Sequence, residues 1–271
     1  LGKVHAMDQG AKIATSEWLL FSDADVIFAP DTLADAVRYA EEQQLDHLSL
    51  LPEMITRSAL LEAATIAFAQ ILFHIIGVGT AKPHPLGVGA FNLVRRSTLE
   101  RSAGIEWIKM EIADDTGLAL LISNAGGKTR FHLAPDRLTL EWYPSVFALI
   151  KGLEKNAFMM AGNGQTFRMV AIFGLVGTLL LAPVLGLFLG PNILAQCAGG
   201  AAILSNILAT AWMRLRIGVA PWGAVLAPLG TLIVAISAIW STIRCVQRGG
   251  VNWRGTHYPL QALKDGKRVW L

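Results

Sequence analysis

Two aspartates, Asp23 and Asp25, stand two residues apart directly after the apolar run Trp18-Leu19-Leu20-Phe21. A run of that length reads as a buried strand, and the end of such a strand is where open α/β sheets present a ligand crevice. Two carboxylates on one turn can share a divalent cation. Mg2+ and Mn2+ take oxygen ligands, and Mg2+ is commonly held by one or two carboxylates together with substrate phosphates. The pair therefore reads as a metal-assisted site for a nucleotide diphosphate, and the same residue types serve equally in a plain turn or cap. A second acidic pair, Asp114-Asp115, precedes a helical stretch starting near Thr116, where Asp114 has the type and position of an N-cap. Cys197, Cys245, His5, His47, His84 and His132 fall at no ligand spacing, and His74 lies in an apolar stretch as a core histidine does, so none of them enters a site.

Positioning these aspartates requires an order of elements. Residues 11–25 read as a helix end, a strand at 17–21 and a loop; Pro30-Asp31-Thr32 opens an amphipathic helix to Glu42 with Asp31 or Thr32 as N-cap; residues 47–51 read as the next strand. Gly87 to Val94 reads as a glycine-punctuated strand, followed by Arg95-Arg96-Ser97 and a further helix. Helices alternating with buried strands predict a Rossmann-like α/β domain with a mostly parallel sheet over residues 1–160. Residues 58–79 form a longer apolar stretch that gathers Ser58, Glu62, Thr65, Gln70 and His74 on half of a helical circumference. Such a helix is either buried against the sheet or laid in a membrane interface.

Composition decides the setting. Of 271 residues, 53% are hydrophobic and 16% charged, with mean hydropathy +0.47, whereas soluble domains carry about a quarter charged residues. Residues 1–155 hold 14 Lys/Arg and 19 Asp/Glu while residues 156–271 hold 9 and 1, so the net charge of +3 averages −5 and +8. The first part reads as water-exposed and the second as lipid-spanning helices with basic flanks. Residues 169–213 and 217–243 contain no Asp, Glu, Lys or Arg, which predicts spans near 168–189, 193–213 and 220–243 within a transmembrane region 167–245, followed by a basic tail 246–271. Pro183, Pro221 and Pro228 are expected to kink these helices, and Trp212, Trp222, Trp240 and Trp253 to mark their ends. Basic residues scattered between apolar runs exclude nucleic acid as a partner.

The order of parts resembles the family 2 glycosyltransferases. Gly2-Lys3, Ala6 and Gly10, the strand Ala14 to Phe21 and Ser22-Asp23-Ala24-Asp25 are similar to that family's approach to its metal-binding motif. Gly87 to Arg96 is similar to its acceptor-side strand, and Asp114-Asp115 to its later acidic pair, with Asp115 at the position of the catalytic base. The apolar helices and the Trp253-Arg254-Gly255-Thr256-His257-Tyr258 ending narrow the resemblance to the integral-membrane branch that includes ceramide glucosyltransferases and hopanoid- or carotenoid-associated enzymes. The resemblance implies a GT-A-like domain, with its first strands upstream of Leu1, and an inverting transfer from a UDP-sugar donor to a lipid hydroxyl. It implies Mg2+ or Mn2+ at Asp23 and Asp25, and donor or acceptor contacts at Lys3, Gly87, Gly89, Asp114, Lys151, Lys155, Trp253 and Arg254. Lys151 and Lys155 occupy the approximate place of the family's Q/R-x-x-R-W motif, which is not present as such, and they serve equally as a basic flank of the first span.

The implied setting is a multi-pass protein of the bacterial inner membrane with a cytoplasmic catalytic domain. A processive polysaccharide synthase would call for more spans, and a transporter subunit would call for ionisable residues inside them. Three spans put the C-terminus opposite the catalytic domain, yet Arg244, Arg248, Arg254, Lys264, Lys267 and Arg268 favour the cytoplasmic side. The expectation is a cytoplasmic C-terminus, with the Pro221 to Pro228 region re-entrant.

Overall fold

The computed structural model describes residues 2–75, 77, 84–253 and 255–270. In chain order the elements are α1 (Gly2–Ile13), β1 (Trp18–Phe21), β2 (Ile27–Phe28), α2 (Thr32–Glu42), β3 (His47–Leu51), β4 (Glu53–Met54), α3 (Ala59–Ile75), β5 (Asn92–Arg95), α4 (Arg96–Arg101) and α5 (Asp114–Asn124). There follow β6 (Thr129–Leu133), β7 (Leu138–Leu140), α6 (Val146–Gly152), α7 (Ala157–Met160), α8 (Thr166–Leu189), α9 (Ile193–Arg216), α10 (Ala227–Arg248), β8 (Gly250–Trp253), β9 (Thr256–Pro259) and α11 (Leu260–Asp265). These divide into two compact units that are interleaved in sequence. One comprises Leu1–Ile55, His74–Trp142 and Tyr258–Leu271, and the other Thr56–Phe73 and Tyr143–His257.

In the first unit, four strands form a sheet in the order β1-β5-β3-β6. β1 and β3 each pair antiparallel with β5, and β3 pairs parallel with β6. The sheet is therefore mixed, which corrects the expectation of a mostly parallel one. The reason is β5, which runs against the common direction of β1, β3 and β6 and lies between the first two. Residues 84–91 are not strand; only 92–95 join the ladder. Side chains alternate across this sheet. Leu19 and Val94 enter one core with Val4, Leu118, Leu121 and Ile122, while Leu48, Leu93 and Phe91 enter another with Ala36, Ala40 and Leu138. The period of two thus places α1 and α5 against one face and α2 against the other. A smaller sheet of order β2-β7-β4 continues the unit. Ser49 and Phe21 both face Asn92 in register, so the carboxyl ends of β1 and β3 and the start of β5 share one sheet edge.

The second unit is helical. Thr166–Leu189, Ile193–Arg216 and Pro221–Arg248 are long and apolar enough to cross a membrane, and α8 buries none of its most apolar window within the protein. Where α8 and α9 meet, a Cβ on Gly199 would stand 2.4 Å from the Leu187 N and 2.5 Å from the Pro183 O, an approach that needs a residue without a side chain. Pro221 and Pro228 occupy the first turns of their helical segments, where the missing N–H costs nothing, so of the three prolines Pro183 alone is inside a helix.

Helix α3 packs with this unit through its polar side. The Arg214 guanidinium, 2% exposed, donates to Glu62 Oε1 at 2.9 Å and to the Ala220 carbonyl at 2.6 Å, and Gln70 donates to Thr210 Oγ1 at 3.1 Å. Gly230 of α10 lies against Ala63, where a Cβ would come within 2.3 Å of the carbonyl oxygen. Leu60, Ile71 and Ile75 are left exposed. The polar positions satisfy one another across helices, as they must where no water reaches. Glu62→Ala is expected to lower the stability of the detergent-solubilised protein by about 3 kcal/mol by leaving a buried guanidinium without its carboxylate, and replacing both Glu62 and Arg214 with Met to recover most of that. Thermal unfolding followed by size exclusion measures both.

Candidate functional site

Asp23 follows β1 with only Ser22 between them, and its backbone N–H donates to the Gly89 carbonyl at 2.9 Å. The Gly89 N–H in turn donates to Asp115 Oδ2 at 3.0 Å, so one residue of the loop joins the end of β1 to the start of α5. Asp115 Oδ1 accepts from the Thr116 N–H at 2.7 Å, and the Thr116 hydroxyl donates to the Gly87 carbonyl at 3.4 Å. The loop approaches both aspartates where side chains would not fit. A Cβ on Gly87 would stand 1.8 Å from the Asp115 carbonyl oxygen, and one on Gly89 would stand 2.5 Å from Asp23 Oδ2. Glycine at these two positions lets the loop backbone come this close to both aspartates.

Lys3 of α1 completes the cluster. Its ammonium lies 2.9 Å from Asp23 Oδ1 and 3.6 Å from Asp114 Oδ2. Burial pulls the ammonium down, but the charges of Asp114, Asp115 and Asp23 outweigh it and hold Lys3 above the ordinary lysine value. Asp114 and Asp115 are the first two residues of α5, where the helix dipole favours negative charge. Ala113 is the N-cap, so Asp114 does not cap this helix as the sequence suggested; its carboxylate pairs with Lys3 instead.

The structure thus brings Lys3, Asp23, Gly87, Gly89, Asp114 and Asp115 together. Asp25 lies on the turn after Asp23, exposed and outside these ion pairs. Lys151, Lys155 and Trp253 belong to the helical unit, where the Lys151 ammonium lies 4.6 Å from the Phe147 ring centre and that of Lys155 3.8 Å from the Trp253 ring centre. Arg254 is outside the described residues. Among the described residues, no group of three or more His, Cys, Asp and Glu is placed to hold a metal ion. Carboxylates two residues apart, Asp23 half-buried and Asp25 on the exposed turn that follows it, nonetheless fit a hard cation that takes further ligands from phosphate and water.

Sequence reasoning passes over Glu111. This carboxylate, 3% exposed, accepts from the N–H groups of Ala113, Arg268 and Val269 at 3.2, 2.7 and 2.9 Å. It fastens residues 268–269 to the residue that precedes α5. The available signal is an acid set between Met110 and Ile112, an apolar context where an unpaired carboxylate would be costly.

A family model described as Glycosyl transferase family 21 matches residues 2–267. No curated protein gives a significant match to the chain. The two glycines differ in what opposes them. Gly87→Ala drives a methyl into backbone and is expected to cost about 3 kcal/mol or more, whereas Gly89→Ala meets a side chain that can rotate and is expected to cost under about 1 kcal/mol. Thermal unfolding of the two variants distinguishes them.

Proposed function

The chain belongs to glycosyl transferase family 21, and from that premise we propose that it is a membrane-bound inverting enzyme of GT-A type, moving a sugar from a nucleotide-diphosphate donor, a UDP-sugar, to a lipid hydroxyl. The observation that carries this reading is the Asp115 carboxylate, held by two backbone N–H groups beside Asp23 and Lys3. A carboxylate is an acceptor through both oxygens, and one so placed can take the proton of an acceptor hydroxyl. A hydroxyl is a poor nucleophile until a positioned base takes that proton, and Asp115 is the base.

Asp23 and Asp25 would hold a Mg2+ or Mn2+ ion, which supplies Lewis-acid stabilisation to the departing diphosphate. Lys3 adds positive charge at the same sheet edge, and Asp114 keeps Lys3 in place. Gly87 and Gly89 let the loop backbone come up against Asp115 and Asp23. The lipid acceptor is supported by three helices that leave most of their apolar surface unburied, and by the exposed Leu60, Ile71 and Ile75 of α3.

The contacts of Glu111 bear on membrane topology. Residue 111 precedes all three long apolar helices and residues 268–269 follow them, yet they are hydrogen-bonded within one unit. Both lie on one side of the bilayer, so the number of crossings between them is even, and at least one of the three helices does not cross. The donor's location in bacteria makes that side cytoplasmic, in accord with the basic residues after 243.

Asp23→Asn and Asp25→Asn are expected to weaken metal-dependent donor binding by about tenfold or more. Asp115→Asn should bind donor normally and lose about 100- to 10,000-fold in transfer. Donor titration and turnover assays separate the roles, and equal loss of donor affinity in all three variants would refute the division. For topology, Gln261→Cys in a chain whose Cys197 and Cys245 are replaced by Ser should resist an impermeant thiol reagent applied to intact cells and react after permeabilisation. Labelling from outside would place residue 261 on the far side.

A further inference from the structure

The loop that carries Gly87 and Gly89 is tied to the sheet by buried polar side chains with no role so far. Asn92 opens β5 and donates from Nδ2 to the Val88 carbonyl at 2.6 Å, which turns its Oδ1 to His47 Nε2 at 2.9 Å. That orientation assigns the histidine tautomer, because an amide oxygen accepts and Nε2 must therefore carry the proton. Ser49 lies two residues along β3 on the same face, and its hydroxyl donates to the Leu86 carbonyl at 2.6 Å. His47 and Ser49 are both 0% exposed. Burial pushes the His47 imidazole down to about 4, against the opposing pull of the Asn92 bond, so the ring is neutral near pH 7.

An imidazole is an expensive way to fill this position. Its Nδ1 has no hydrogen-bond partner among the described residues, a cost that an apolar side chain of similar size would avoid. What the ring supplies is a fixed donor to Asn92, and Asn92 passes that constraint to the loop. The chain of contacts then runs from His47 to Asn92, to the Val88 carbonyl, to the adjoining Gly89 N–H and so to the Asp115 carboxylate.

We propose that His47 and Asn92, with Ser49 beside them, are positioning residues that set the Asp115 carboxylate through the backbone of residues 86–89. All three act through the loop backbone and not on the substrate. The inference rests on the reading of Asp115 as the base. Misplacement of a reacting group by about 1 Å can cost on the order of 100-fold in rate, so the loop needs to loosen only slightly for turnover to fall.

His47→Leu keeps the volume and removes the donor; His47→Gln keeps an N–H at a similar reach. The expected result for His47→Leu is a kcat lowered by about tenfold with donor KM unchanged, a thermal midpoint near that of the native protein and faster amide exchange in a peptide spanning residues 84–92. His47→Gln should restore both kcat and exchange protection. Ser49→Ala, which deletes one hydroxyl, should lower kcat in the same direction with donor KM unchanged and serves if His47→Leu does not fold. Native kcat in His47→Leu or in Ser49→Ala would overturn the proposal, as would a loss shared equally by His47→Leu and His47→Gln and accompanied by a lowered thermal midpoint. Asp115→Asn, run alongside, isolates the underlying reading: persistent transfer in that variant removes Asp115 as base, whereas native kcat in His47→Leu beside an inactive Asp115→Asn removes only the positioning role.

Discussion

The site depends on how near two backbones come at Gly87. With a Cβ at 1.8 Å from the Asp115 carbonyl oxygen, no other residue leaves the loop and the first turn of α5 where they are. That proximity lets the neighbouring Gly89 offer its N–H to the Asp115 side chain and its carbonyl to the Asp23 backbone. Three acids and one ammonium then share a small volume, and the mixture is tolerable because Lys3 sits between Asp23 and Asp114 while Asp115 is satisfied by N–H groups. Helices α1 and α5 supply Lys3, Asp114 and Asp115, the segment after β1 supplies Asp23, and the glycine loop fixes their spacing.

Much of this was legible in the chain itself. The apolar run before Asp23, the glycines at 87 and 89 and the acidic pair at 114–115 each carry a local signature of strand, close approach and helix start. The extents of α2 and β3 also follow from pattern, since caps and periodicity are local properties. Strand direction is not local. Nothing in Asn92-Leu93-Val94-Arg95 states that it runs against its neighbours, because the same alternation serves either sense. Likewise the polar face of α3 could be counted from the sequence, but its partners Thr210 and Arg214 lie about 140 residues on, so its inward orientation needed the tertiary structure. His47 shows the same limit from the other side: a lone histidine in a strand reads as core, and its hydrogen bond to Asn92 crosses 45 residues.

The helical unit shows how an apolar body handles the few polar groups it contains. Arg214 is among the largest fully buried side chains of the described residues, and its guanidinium is met by a carboxylate and a backbone carbonyl. Glu154 plays a comparable part, accepting from Trp240 at 2.8 Å and Arg248 at 2.6 Å while its own carbonyl receives the Ser241 hydroxyl. Both nodes link a residue outside the long helices to residues near their ends. Charge is thereby confined to places where helices are pinned, and the remaining surface is left apolar.

The Glu111 clasp has a consequence for biosynthesis. A ribosome makes Glu111 before any of the three long helices and makes Arg268 and Val269 after all of them. While the apolar segments are being threaded into lipid, the first unit lacks its last strip of chain and the carboxylate lacks two of its three N–H partners. The segment leading into α5 therefore reaches its final geometry only once insertion is finished. A chain stalled partway through membrane insertion would carry every acidic residue of the site and still lack the frame that Arg268 and Val269 complete around Glu111.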